Sequence, residues 1–137
     1  RGLVVDPFDL DYDIYGRFMK LSRSEVDQMK NSHYKRHQLM SEFKYLYAQD
    51  ESVRRLALFC LNRFVQPDFF ALYLRWVCII SHCALKYAEG NRDSSITNEE
   101  AERFGGTVYA YYQYLDSILG EIINALSPDT NIIIGKF

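Results

Sequence analysis

The chain has 137 residues, 48% of them apolar, with 16 basic and 18 acidic side chains and a formal net charge of -2. That length suits one domain, residues 1–137, burying roughly two thirds of its unfolded surface around a single core. The mixed, near-neutral charge excludes the electrostatic footprint of a nucleic-acid or anionic-membrane binder. The three cysteines, Cys60, Cys78 and Cys83, lie in apolar stretches and are odd in number, which points to a reduced, intracellular protein.

Phe8, Ile14, Phe18 and Leu21 form a broken apolar stripe, so a first helix is expected from just after Pro7 to Leu21, weakened by Gly16. Ser22 to Glu25 spells a capping box, in which the serine accepts a free amide and the glutamate reaches back, so a second helix should begin near Ser24. Val26, Met29, Met40, Phe43, Leu46 and Tyr47 supply its core face. Between them residues 30–38, KNSHYKRHQ, offer little to bury and are expected to be exposed, bent or frayed. Asp50 is placed to cap a third helix from Glu51 to about Val65, with Val53, Leu56, Ala57, Cys60, Leu61 and Phe64 on its face.

Phe69 to Leu85 is an almost unbroken apolar run, interrupted only by Arg75, Ser81 and His82. It is shorter than the roughly 20 residues a bilayer demands and carries an arginine, so it reads as the buried central helix of an all-α bundle, opened by Pro67. Gly90 is the expected stop, followed by the polar loop GNRDSS. Thr97 to Glu100 is a second capping box, introducing a helix from Asn98 to about Leu126 interrupted at Gly105 and Gly106, with Phe104, Val108, Tyr111, Leu115, Ile118 and Ile122 at helical spacing. Ser127 and Pro128 end it, and Ile132 to Ile134 should pack onto the bundle.

Little in the chain points to catalysis. His33 and His37 share a helical face and lack a third ligand, so they are read as solvated; His82 is read as a core histidine. Cys78 and Cys83, five apart on a helix, are not placed for a disulfide or a shared metal. Glu99, Glu100 and Glu102 complement a helix dipole, and Gly105 and Gly106 lack the spacing and the preceding strand of a phosphate loop. No enzyme, metal or cofactor is expected.

The order of elements, an amphipathic helix, a long irregular helical region, a medium helix, an apolar helix and another long one, resembles the Bcl-2 family of apoptosis regulators. That family's first homology motif, Glu-Leu-Phe-Arg-Asp-Gly-Val-Asn-Trp-Gly-Arg-Ile-Val-Ala-Phe-Phe, falls without gaps on Phe59 to Leu74, FCLNRFVQPDFFALYL, where Val65 is identical and most apolar positions stay apolar. Asp11 to Arg23, DYDIYGRFMKLSR, is similar to the family's amphipathic first helix, including its Lys-Leu-Ser ending. Its Asn-Trp-Gly-Arg is replaced by Gln66, Pro67, Asp68 and Phe69, the second homology motif is absent after Leu126, the Gly-Asp pair of the third is absent near Met29 to Tyr34, and the loop between the first two helices is nearly absent. Such compaction resembles a virus-encoded member.

The resemblance implies a pro-survival protein that sequesters pro-death BH3 helices in an apolar groove. Matching positions put Met40, Phe43 and Tyr47 on one wall, Leu56, Phe59, Cys60 and Arg63 on the other, and Phe69, Leu72 and Trp76 on the floor, with Arg63 facing the ligand's aspartate in place of the lost arginine. The implied partners are pro-apoptotic Bcl-2 relatives, in the cytoplasm or at the mitochondrial surface of a host cell, with membrane contact only through an anchor outside this sequence. The alternative is a non-enzymatic adaptor or homodimer acting through the tyrosine-rich stretch Tyr109 to Tyr114, YAYYQY.

Overall fold

The computed structural model describes residues 2–10, 12–31, 38–64 and 67–135, and the side chains of 29–31, 38, 40 and 41 lie outside what is described. The fold is all-α: α1 Asp13–Phe18, α2 Arg23–Asn31, α3 Gln38–Arg63, α4 Trp76–Ala84, α5 Asn98–Phe104 and α6 Thr107–Ala125, with a 3-10 turn at Leu85–Tyr87 closing α4. No strand occurs among the described residues.

Local signals place several boundaries. At α2 the Glu25 carboxylate accepts the Ser22 amide at 2.7 Å while the Glu25 amide donates to Ser22 Oγ at 3.3 Å, a closed capping box. Thr97 and Glu100 close the same box at α5. The position between α5 and α6 requires glycine, since a Cβ on Gly105 would lie 2.5 Å from the Ala101 carbonyl oxygen and 3.0 Å from that of Tyr87. Gly90, with φ of +83°, makes the left-handed turn after the 3-10 segment.

Several expectations are corrected. The first helix begins at Asp13, because the Asp6 side chain accepts the Phe8 amide at 2.8 Å and bends the Pro7 region into a turn, and Met19 is already extended. Asp50 does not separate two helices. It sits inside α3, which runs unbroken for 26 residues without glycine or proline, and its carboxylate turns away from its own backbone to partners on other helices. The apolar run from Phe69 does not start a helix at Pro67: residues 67–75 are non-helical and α4 begins at Trp76.

That last difference removes the helix wrapped on all sides. Phe70 and Leu74 pack against the core while Phe69, 83% exposed, and Tyr73 face solvent. In α4 itself Ile80, Cys83 and Ala84 are buried against α3 and α6, but Cys78 and His82 are exposed, so His82 is not a core histidine. The expected packing of Ile132 to Ile134 is also corrected, since Ile133 is 96% exposed and residues 127–135 are exposed throughout.

Aromatic rings fill the centre. Phe18 of α1 lies 5.0 Å from Phe43, 5.5 Å from Tyr111 and 5.7 Å from Tyr114, centroid to centroid, joining α1, α3 and α6 in one tilted and edge-on cluster.

Candidate functional site

Two places combine chemistry with geometry. The first is the C-terminal half of α3. Leu56, Phe59, Cys60 and Arg63 fall at i, i+3, i+4 and i+7, hence on one helical face. Leu56 is 51% and Phe59 42% exposed, Cys60 is half-buried and Arg63 is exposed. Phe64, also exposed, meets Phe59 edge-on with centroids 6.0 Å apart. Beside this face opens a cleft of about 500 Å³ lined by Leu58, Phe59, Asn62, Arg63, Arg54 and Arg55 of α3 and by Gly2 and Leu3. The N-terminal residues are tied there by the Val5 amide donating to Ser52 Oγ at 2.8 Å and by Arg55 donating to the Gly2 carbonyl at 3.1 Å. Arg63 forms no ion pair among the described residues.

The other groove positions named from the sequence are distributed differently. Phe43 is wholly buried, with no surface to offer a ligand, because it packs on Tyr15, Phe18 and Tyr111. Tyr47 is half-buried against Phe18 and Tyr114. The Met40 side chain, like His33 and His37, lies outside the described residues. Phe69 and Leu72 are exposed on the non-helical segment, and Trp76 is half-buried at the start of α4. Of the ten positions, α3 therefore presents Leu56, Phe59, Cys60 and Arg63 as one surface.

The second place is interior and was not anticipated as a site. Asp50, 1% exposed, accepts the Tyr111 hydroxyl at 2.7 Å and the backbone N–H of Trp76. Burial drives its pKa up to about 6, against the opposing pull of those two bonds. Glu51, 5% exposed, receives Arg54 at 2.7 Å on each carboxylate oxygen, Arg55 Nε at 2.9 Å and the Tyr114 hydroxyl at 3.0 Å. Its burial would raise the pKa, but the bonds from Arg54 and Arg55 and the charge of Arg54 override that and hold it at about 2. Burial, with the adjacent carboxylates, pushes Tyr111 and Tyr114 well above the usual phenol range. The tyrosine-rich stretch thus splits, Tyr111 and Tyr114 pointing inward and Tyr109 and Tyr112 outward, each pair sharing a helix face at i, i+3 spacing.

Comparison with protein-family models, with curated proteins and with solved structures gives no match. Among the described residues no helix is long and apolar enough to cross a membrane, and no group of three or more His, Cys, Asp or Glu side chains is placed to hold a metal ion.

Proposed function

We propose that the protein is a compact, virus-encoded pro-survival relative of the Bcl-2 family that sequesters pro-death BH3 helices on the C-terminal half of α3, without enzymatic chemistry or a cofactor. The observation that supports this reading is the exposed apolar face of Leu56 and Phe59 with Arg63 at its end, in no ion pair among the described residues. Large apolar side chains held in solvent on a rigid helix are a docking surface for an amphipathic helix, and an adjacent cation suits an acidic residue of that helix. Because residues 67–75 are not helical, Phe69 and Leu72 would reach the ligand from an extended strap rather than from a central helix. The place of action that goes with this reading is the cytoplasm or the mitochondrial surface of the host cell.

The test is a pair of charge substitutions, Leu56→Glu and Phe59→Glu, both at solvent-exposed positions. Binding of a BH3 peptide should be lost in each while the unfolding midpoint stays put, and retained affinity in folded variants would contradict the placement. A second reading is favoured by Tyr109, 71% exposed, and Tyr112, 52% exposed, on the outer face of α6. These aromatics suit a homodimer interface. A monomer mass independent of concentration, by sedimentation, argues against it.

A further inference from the structure

Asp50 is an interior carboxyl group with no cation among its partners within the described residues. Arg54 and Arg55, the cations that follow it on α3, are committed to Glu51, and Arg54 also to Glu121. The Asp50 carboxylate is nevertheless where three helices meet: it belongs to α3, takes the hydroxyl of Tyr111 from α6, and takes the N–H of Trp76, the first residue of α4. Arg75, preceding it, supplies no side-chain cap. An ionised carboxylate buried without a counter-charge is unfavourable, and the usual relief is to take up a proton. We propose that Asp50 is a proton-binding site at the junction of α3, α4 and α6, whose protonation relieves the burial of an unpaired charge and stabilises the folded bundle in mildly acidic solution.

The groups facing this carboxyl do not titrate in that range. From α6 they are Tyr111 and Tyr114, with Tyr47 of α3 packed on the Tyr114 ring, all three raised chiefly by burial and so neutral throughout. Glu51, also on α3, stays ionised down to about pH 2. From α1, Arg17 lies over the Tyr114 ring, 5.0 Å from its centroid. From α4 the contact is the Trp76 N–H, while His82 and Cys78 lie on the exposed side of that helix. The positive end of the α4 dipole favours the ionised form, in the same sense as the Trp76 bond.

The sign follows from linkage. A carboxyl whose pKa rises from 3.8 to about 6 on folding binds its proton more tightly in the folded protein. Stability from this group therefore grows as pH falls through 6 and is lost as pH rises through it, by about tenfold in the folding constant between pH 7.5 and pH 5. Trp76 is the one tryptophan of the chain, so its fluorescence reports from the site itself. The experiment titrates the full chain and its Asp50→Asn variant from pH 7.5 to 4.5, following fluorescence and the urea midpoint. The wild type should show a fluorescence transition near pH 6 and gain about tenfold in folding constant relative to the variant between pH 7.5 and pH 5, contributions from the histidines cancelling in the comparison. Equal pH dependence of the two proteins overturns the proposal. Should the variant fail to fold, the carbon-13 titration of the Asp50 carboxyl in the wild type decides: a midpoint near 6 supports the site and one near 4 overturns it. The proposal is independent of the BH3 reading.

Discussion

Replacing Glu51 by glutamine removes one charge from a crowded interior site and keeps its shape. The carboxylate receives both prongs of Arg54, the Nε of Arg55 and the Tyr114 hydroxyl, and these hold its pKa at about 2 against an ordinary 4.5. At about 1.4 kcal/mol per pH unit, that displacement corresponds to ~3 kcal/mol of stability at neutral pH. Arg54 and Arg55 are 24% and 31% exposed, so solvent screening trims the figure to ~2–3 kcal/mol. Because the folded pKa is depressed, the contribution is complete above pH 4.5 and disappears as pH falls toward 2. Urea unfolding at pH 7 and at pH 2.5 measures it. The wild type should exceed Glu51→Gln by ~2–3 kcal/mol at pH 7, with the gap closing in acid. A gap below about 1 kcal/mol at pH 7, or one unchanged between the two pH values, would refute the reasoning.

Further outcomes follow from the same structure. Phe43→Ala, which empties the wholly buried centre of the aromatic cluster, should lower stability by about 3–5 kcal/mol in denaturant unfolding. Thr97→Ala, which opens the α5 capping box, should lower it by about 1 kcal/mol and speed amide exchange in the first turn of α5. Asp50 and Glu51 act in opposite directions, so the wild type should be most stable near pH 4, between their unfolded values of 3.8 and 4.5, with Asp50 neutralised and Glu51 still ionised. A thermal midpoint that climbs steadily from pH 5 to pH 8 would count against this pairing.

What the sequence made legible were features written in a few adjacent residues. Both capping boxes, at Ser22 and at Thr97, and the break at Gly105 and Gly106 were read in place, because caps and glycine contacts are local. The helical character of α3 and α6 was readable from apolar periodicity, as were Phe18, Phe43, Tyr111, Ile118 and Ile122 as core. Asp50 was misread because local rules favour aspartate as a cap, whereas its partner Tyr111 stands 61 residues away. Its second partner, the backbone N–H of Trp76 at the start of α4, is likewise distant in sequence. Apolar composition alone made Phe69 to Tyr73 look buried, although the segment exposes Phe69 and Tyr73 while anchoring through Phe70 and Leu74. On the candidate surface, Leu56, Phe59, Cys60 and Arg63 could be grouped from helical spacing, but the contribution of Gly2 and Leu3 to the neighbouring cleft depends on tertiary contacts with α3 that no local pattern carries.

The most direct test of the proposed function is calorimetric titration of the full chain with a panel of pro-death BH3 peptides, each beside its aspartate-to-alanine variant. The account predicts submicromolar binding to some members, weakened in the alanine variants by loss of the partner for Arg63. Absence of binding across the whole panel, by a protein that melts cooperatively, would contradict it.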